Sequence, residues 1–310
     1  MTTRSKSHAL CVAASLAILT LAPASAFAMP ATAAAAVQDG GSGERTQGRV
    51  QRRQRQAAAP AAPSAAEITA EAQAFLNTNN IACQVTESAF KGQTADGSKL
   101  YEVACANNFG LLALTSAEPM ILSCLEISET QKRALAADPA AVLGPKCELP
   151  SNDNFMAVLT SYASAAGITC SVDQANIIGK RAGSDVYEIG CAGADGYQIA
   201  KENGAWTTTP CIELASANTI CNFTTKDEQI ASVTSWFAGS PAASCNIADV
   251  RYMGGNANGA FYEASCNGSD GIIARLDGAK AVQQVYPCAE AAQIGGGCKL
   301  TAGAPQGTNG

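Results

Sequence analysis

Histidine is nearly missing from this chain: the single one is His8, close to the start. Its absence from the rest removes Ser-His-Asp and Cys-His nucleophile activation, histidine acid–base work and the commonest metal ligand. Closely spaced cysteines are missing too. No two cysteines after Cys11 lie nearer than ten positions apart, whereas zinc sites use C-x2-4-C pairs. Neither the phosphate loop G-x-x-x-x-G-K-[ST] nor the nucleophile elbow G-x-S-x-G occurs. No apolar run is long enough to span a bilayer; the longest, Ala9 to Leu21, has 13 residues.

That run has another reading. Arg4 and Lys6 precede it, and the A-x-A sites Ala24-Ser25-Ala26 and Ala26-Phe27-Ala28 follow it. The pattern predicts a Sec signal peptide over residues 1–28 and a periplasmic or extracellular product without a transmembrane segment. Thirteen cysteines minus Cys11 leave twelve. An even number in an exported chain predicts six disulfides.

Charge is uneven. Arg45, Arg49, Arg52, Arg53 and Arg55 cluster against Asp39 and Glu44, and from residue 57 onward 13 Lys and Arg meet 24 Asp and Glu, a balance of −11. The acidic part is unsuited to nucleic acid, because phosphate needs a basic face. Residues 29–63 are Ala, Gly, Pro, Gln and Arg with few large apolar side chains. Such a segment buries too little surface to offset its chain entropy and reads as a flexible tether. Arg49, Arg52, Arg53 and Arg55 on it are candidate contacts for an anionic envelope surface.

The rest repeats three times. The cysteines fall in fours: Cys83, Cys105, Cys124, Cys147; Cys170, Cys191, Cys211, Cys221; and Cys245, Cys266, Cys288, Cys298. The second of each four ends Tyr-Glu-x-x-Cys, with Tyr101-Glu102, Tyr187-Glu188 and Tyr262-Glu263. Five residues on stand Gly110, Gly196 and Gly271. The third opens Cys-x-Glu, with Glu126, Glu213 and Glu290, after Ser123, Pro210 and Pro287. The fourth opens Cys-x-Leu/Phe, with Leu149, Phe223 and Leu300. Matches at near-fixed offsets mark tandem modules at 64–150, 151–223 and 224–301, with a flexible tail at 302–310. Copy one carries 13 extra residues between its third and fourth cysteines.

Each copy opens with a helical pattern: Ser64 with Glu67 as a capping box, a start near Ser151, and Thr225 with Glu228 as a second capping box. Four strands follow. A Gly-rich turn (92–97, 179–183, 254–259) separates the first two, and a short helical turn begins at the third cysteine, lengthened in copy one around Thr130 to Leu143. The fold class expected is α+β: three helix-plus-small-antiparallel-sheet modules stapled by disulfides. Four cysteines allow three connectivities per copy. The turn midway between first and second favours first-to-second pairing, and third-to-fourth would then clip the helical turn.

The string Tyr262-Glu263-Ala-Ser-Cys266, with Pro287-Cys288-Ala-Glu290-Ala291 and Cys298-Lys-Leu300-Thr301, resembles a repeat of uncharacterised secreted proteins of alphaproteobacteria. The resemblance covers 64–301 and implies location and architecture, not chemistry. In outline the tandem modules are also similar to the beta-lactamase inhibitory proteins.

Repeated residues read as framework. Glu126, Glu213 and Glu290 suit the first turn of a helix, where a carboxylate meets unpaired N–H groups. Glu102, Glu188 and Glu263 read as solvated residues on the outward strand face. Trp236 reads as core. Trp206, beside Gly204, and Phe109 are candidate exposed contact residues. No catalytic residue, metal or cofactor is expected. The sequence points to a non-enzymatic envelope scaffold binding a protein or cell-wall partner. The alternatives are an inhibitor of an extracellular hydrolase and a carboxylate-based hydrolase.

Overall fold

A computed structural model describes residues 63–301. The proposed signal peptide, the tether with its arginines, and the tail lie outside them.

Three modules follow one plan. In the first, helix α1 (Ala65–Thr78) precedes strands β1 (Val85–Gln93), β2 (Lys99–Cys105), β3 (Leu111–Leu114) and β4 (Met120–Ser123), and helix α2 (Cys124–Ala137) ends it. The second has α3 (Phe155–Ala165), β5 (Val172–Arg181), β6 (Ser184–Cys191), β7 (Ala194–Glu202), β8 (Ala205–Pro210) and α4 (Cys211–Ser216). The third has α5 (Lys226–Phe237), β9 (Ile247–Asn256), β10 (Gly259–Cys266), β11 (Ile272–Leu276) and β12 (Val282–Pro287), then one 3-10 turn at Cys288–Glu290. Each sheet is a four-stranded antiparallel meander in chain order. The α+β class and the triplication are as the sequence indicates; the helix of copy one is lengthened as expected but stops at Ala137, short of Leu143.

Ser64 and Thr225 cap α1 and α5 with complete capping boxes. The second helix starts later than the expected Ser151. Pro150–Asn152 forms a 3-10 turn, and Asn154 caps α3 by accepting from the Ala157 N–H. The glycines Gly92, Gly179 and Gly254, expected in the turns, lie instead at bulges of the first strands. There their φ values of 145°, 155° and 123° exclude ordinary side chains.

All six disulfides form inside modules, first to second and third to fourth: Cys83–Cys105, Cys124–Cys147, Cys170–Cys191, Cys211–Cys221, Cys245–Cys266 and Cys288–Cys298.

The Tyr-Glu pair divides each sheet into two buried faces. Tyr101, Tyr187 and Tyr262 point under the helix, into cores with Leu76, Leu159 and Phe237 respectively. The glutamates point the other way, but not into solvent as expected: Glu102, Glu188 and Glu263 are all 0% exposed. The segment after the fourth cysteine crosses that face. Its backbone N–H groups donate to the carboxylates, from Leu149 to Glu102 at 2.7 Å, Phe223 to Glu188 at 2.5 Å and Leu300 to Glu263 at 2.6 Å. Bonds from N–H groups offset the lost hydration of these carboxylates, although Glu102 Oε2 has only the Lys91 ammonium near it, at 3.7 Å. The repeated glycine leaves room for the crossing: a Cβ on Gly110, Gly196 or Gly271 would lie 1.9, 2.4 or 1.9 Å from Asn152, Thr224 or Thr301. Three motifs spread over each repeat therefore form one device. The glutamate accepts, the fourth cysteine and the residue two beyond it deliver the donor, and the glycine makes space.

Neighbouring modules are joined by the residue after the third cysteine. Leu125 belongs to the core of module two, and Ile212 to the core of module three. Each is a plug on the helix of one module, buried beneath the next.

Candidate functional site

The junctions place the repeated Cys-x-Glu residues at a second task. Glu126 does lie in the first turn of α2, and Glu213 in that of α4. Each also reaches into the following module. Glu126 pairs with Lys180 at 2.9 Å. Glu213 accepts from the Tyr262 hydroxyl at 2.9 Å and pairs with Lys280 at 3.2 Å. Glu290 has no described module beyond it and is exposed.

The two junctions cap their plug helices differently. In copies two and three proline precedes the third cysteine and offers no hydroxyl. The residue four after the second cysteine substitutes: Asp195 accepts from the Ile212 N–H at 3.2 Å on each oxygen, and Asp270 accepts from the Ala289 N–H at 3.1 Å. In copy one Ser123 caps α2 itself, accepting from the Glu126 N–H at 3.4 Å. That position is then free to be apolar, and it is Phe109.

Phe109 is therefore not the exposed contact residue expected from its turn. It is 5% exposed and packs in the first junction with its ring centroid 5.4 Å from Tyr162, 5.9 Å from Tyr187 and 6.3 Å from Phe155. Burial outweighs local exposure here because the second module closes over the turn.

A cleft of about 560 Å³ opens beside this aromatic cluster, between module one and module two. Module one contributes the Ala82–Gln84 stretch and Asn107–Asn108; module two contributes Tyr162 and Tyr187 with Asp185, Lys201 and Trp206. Trp206 sits where the sequence indicates, next to the β7–β8 turn. It is half-buried, with its ring 5.1 Å from Tyr162 and the Lys201 ammonium 5.8 Å from its centroid. Trp236 packs against the third core, as expected.

Polar groups around the cleft are held in place. The Tyr162 hydroxyl donates to Asn108 Oδ1 at 2.6 Å, and Asn108 Nδ2 donates to the Ala82 carbonyl at 3.1 Å. The Tyr187 hydroxyl donates weakly to Asp185 Oδ2 at 3.3 Å. Lys180 bridges Asp185 and Glu126, at 2.9 Å from each. The two carboxylates, Asp185 foremost, push the Lys180 ammonium up to about 12. Burial, with the Asp185 charge second, pushes the Tyr162 phenol to about 12 and raises that of Tyr187 further. Both phenols stay neutral hydrogen-bonding groups.

Two clusters have the ligand spacing of a metal site among the described residues: Glu102 with Cys124 and Cys147, and Glu263 with Cys288 and Cys298. In both, the sulfurs are joined to each other and offer no thiolate. The carboxylates already accept backbone N–H groups. These clusters are framework.

The insertion of copy one leaves Leu135, Val142 and Leu143 exposed. Gln131 on α2 ties its return path by donating to the Gly144 and Pro145 carbonyls.

No family model, no curated protein and no solved structure matches the chain.

Proposed function

We propose that the chain is a non-enzymatic exported binding protein of the bacterial envelope, whose three fused modules present the cleft at the first junction to a cell-wall or protein partner. One observation carries the reading. The cleft sets residues that break the repeat, Asp185, Lys201 and Trp206, beside the repeated Tyr187 and Cys83, which belong to the framework. Two positions before the repeated tyrosine, the copies have Lys99, Asp185 and Ala260. Lys201 and Trp206 pair across β7 and β8, where module three pairs Leu276 with Val282.

Export is supported by the signal-like first 28 residues and by six disulfides, which persist in oxidising compartments. A binding role is supported by the chemistry of the cleft. It has aromatic rings, amides and one lining carboxylate, Asp185, where glycoside hydrolysis uses two. The inhibitor reading loses one of its two expected aromatic contacts, since Phe109 is buried.

The test is retention of the oxidised full chain on isolated bacterial envelope material, with cell-wall sacculi and envelope protein assayed separately. Retention on either, with the material left chemically intact, is the expected result. Failure to bind both, or release of cleavage products, overturns the reading.

A further inference from the structure

The cleft at the first junction carries enough detail to name a ligand class. From its geometry we infer that it is a carbohydrate subsite, accepting an uncharged pyranose segment laid against Trp206. The inference rests on the binding role just proposed and adds the chemistry of the ligand.

Shape comes first. About 560 Å³ lies within the range of ordinary small-molecule sites and accommodates one or two sugar rings. The cleft is partly open to solvent, as a polymer segment entering from solution requires.

Aromatic surface comes second. Trp206 is the half-buried end of a run of rings that continues through Tyr162 and Tyr187 to Phe109. Buried Phe109 and Tyr187, with half-buried Tyr162, fix the position of Trp206, so its exposed area is presented without an ordering cost on binding. A flat amphipathic ring of this kind receives the C–H face of a pyranose, with hydroxyls left free at the rim.

Polar groups come third. A pyranose edge presents hydroxyls that both donate and accept, and needs planar groups with two sites. Asp185 and the exposed Asn107 are such groups on the cleft wall. One oxygen of Asp185, Oδ1, makes no hydrogen bond of good geometry, although it lies 2.9 Å from the Lys180 ammonium. That oxygen is buried against Lys180, so the acceptor for a ligand hydroxyl is the other one, Oδ2, which takes only the 3.3 Å bond from the Tyr187 hydroxyl. Lys201 and the phenols of Tyr162 and Tyr187 line the same space.

Charge decides against the alternatives. The cations and anions offset each other: Lys180 lies between Asp185 and Glu126, and Lys201 lies over the Trp206 ring. An anionic sugar would face Asp185, and a cationic one would face Lys201. A neutral ring meets neither penalty.

The same position in module three is a different surface. Ala260 stands for Asp185, and buried Leu276 for Lys201. The repeat therefore makes one such subsite here and does not copy it.

The experiment is isothermal titration and tryptophan fluorescence of the oxidised full chain with four tetrasaccharides. Cellotetraose and tetra-N-acetylchitotetraose are neutral, tetragalacturonate is anionic, and chitosan tetramer is cationic. At least one neutral probe is expected to bind with Kd on the order of 0.1–1 mM, typical of an open site contacting few ligand atoms. Each charged probe is expected to bind at least about threefold more weakly than it. Trp206→Ala is expected to weaken binding about tenfold or more, and Trp206→Phe, which keeps a ring, about threefold. Lys201→Ala, at an exposed residue, is expected to weaken it less than Trp206→Ala. Unchanged melting of the variants separates a lost contact from a lost fold. Silence of both neutral probes at 10 mM overturns the inference. So does neutral binding that Trp206→Ala leaves intact, or tighter binding of a charged probe. If Trp206→Ala still binds envelope material as well as the parent chain, the carbohydrate subsite fails while the envelope-binding role stands. If the parent chain binds no envelope material, the broader role fails.

Discussion

Asp195 shows how one side chain can hold a junction at a cost. It is 3% exposed and accepts from the first N–H of the plug at Ile212. Burial pushes its carboxyl up to about 7, opposed by the Ile212 N–H bonds and by Lys280, and reinforced by Glu213 and Glu228. The sign follows. An unfolded aspartate loses its proton near pH 4, whereas the folded one keeps it to about pH 7. Between those values the folded state binds more protons, so this residue's contribution to stability falls as pH rises. Asp195→Asn keeps an acceptor and removes the titration. The variant's melting temperature relative to the parent is expected to climb from pH 4 to pH 7 and to level off above. A difference flat across that range would contradict the raised value.

The glutamates of the Tyr-Glu motif mark the limit of residue-scale reading. Alternation correctly puts Tyr187 and Glu188 on opposite faces, and one-sided antiparallel sheets then suggest water on the second face. Nothing local tells that the chain returns across it 35 residues later to bring the Phe223 N–H to Glu188. A signal was present nonetheless. Tyr-Glu, the glycine and Cys-x-Leu/Phe recur together, which is how three parts of one contact behave.

At the scale of elements, the plug helices explain why the copies differ where they do. Module three presents Val250 on β9 and Ile230 on α5 to its core, which also takes in Ile212. The matching seam of module one, which has no described plug, is hydrophilic: Thr69 and Ser88 share a hydroxyl hydrogen bond of 2.8 Å. At the other end the plug position is Ala289, which is exposed. Interior and terminal copies of a repeat commonly diverge in this way. Ile212→Ala is expected to destabilise module three by about 2–4 kcal/mol, since a buried side chain is lost from a closed core. Ala289→Leu, on the surface, is expected to shift stability by under about 0.5 kcal/mol. Urea unfolding of both variants checks the pair, and equal effects would rule out the plug assignment.

The three described modules are an array coupled through side chains as well as through the chain. Leu125 and Phe109 enter the second core, Ile212 the third, and the ion pairs Glu126–Lys180 and Glu213–Lys280 lie across the same junctions. Among the described residues disulfides crosslink only within modules, so they do not carry this coupling. The oxidised chain is expected to unfold in a single calorimetric transition. Leu125→Ala is expected to split off a separate, earlier one for module one. Three transitions in the parent chain would show independent modules and count against a rigid array.

The sequence by itself determined the modules, their α+β class and two of the three helix starts, and it favoured the disulfide pairing found, because repetition and cysteine spacing are properties of the chain alone. It also singled out Trp206. The tertiary structure decided which faces are covered. It buried Glu102, Glu188, Glu263 and Phe109, turned Glu126 and Glu213 toward a neighbouring module, and set Asp185 and Lys201 beside Trp206. Those outcomes depend on segments tens of residues apart meeting in space, and local alternation carries no record of such meetings.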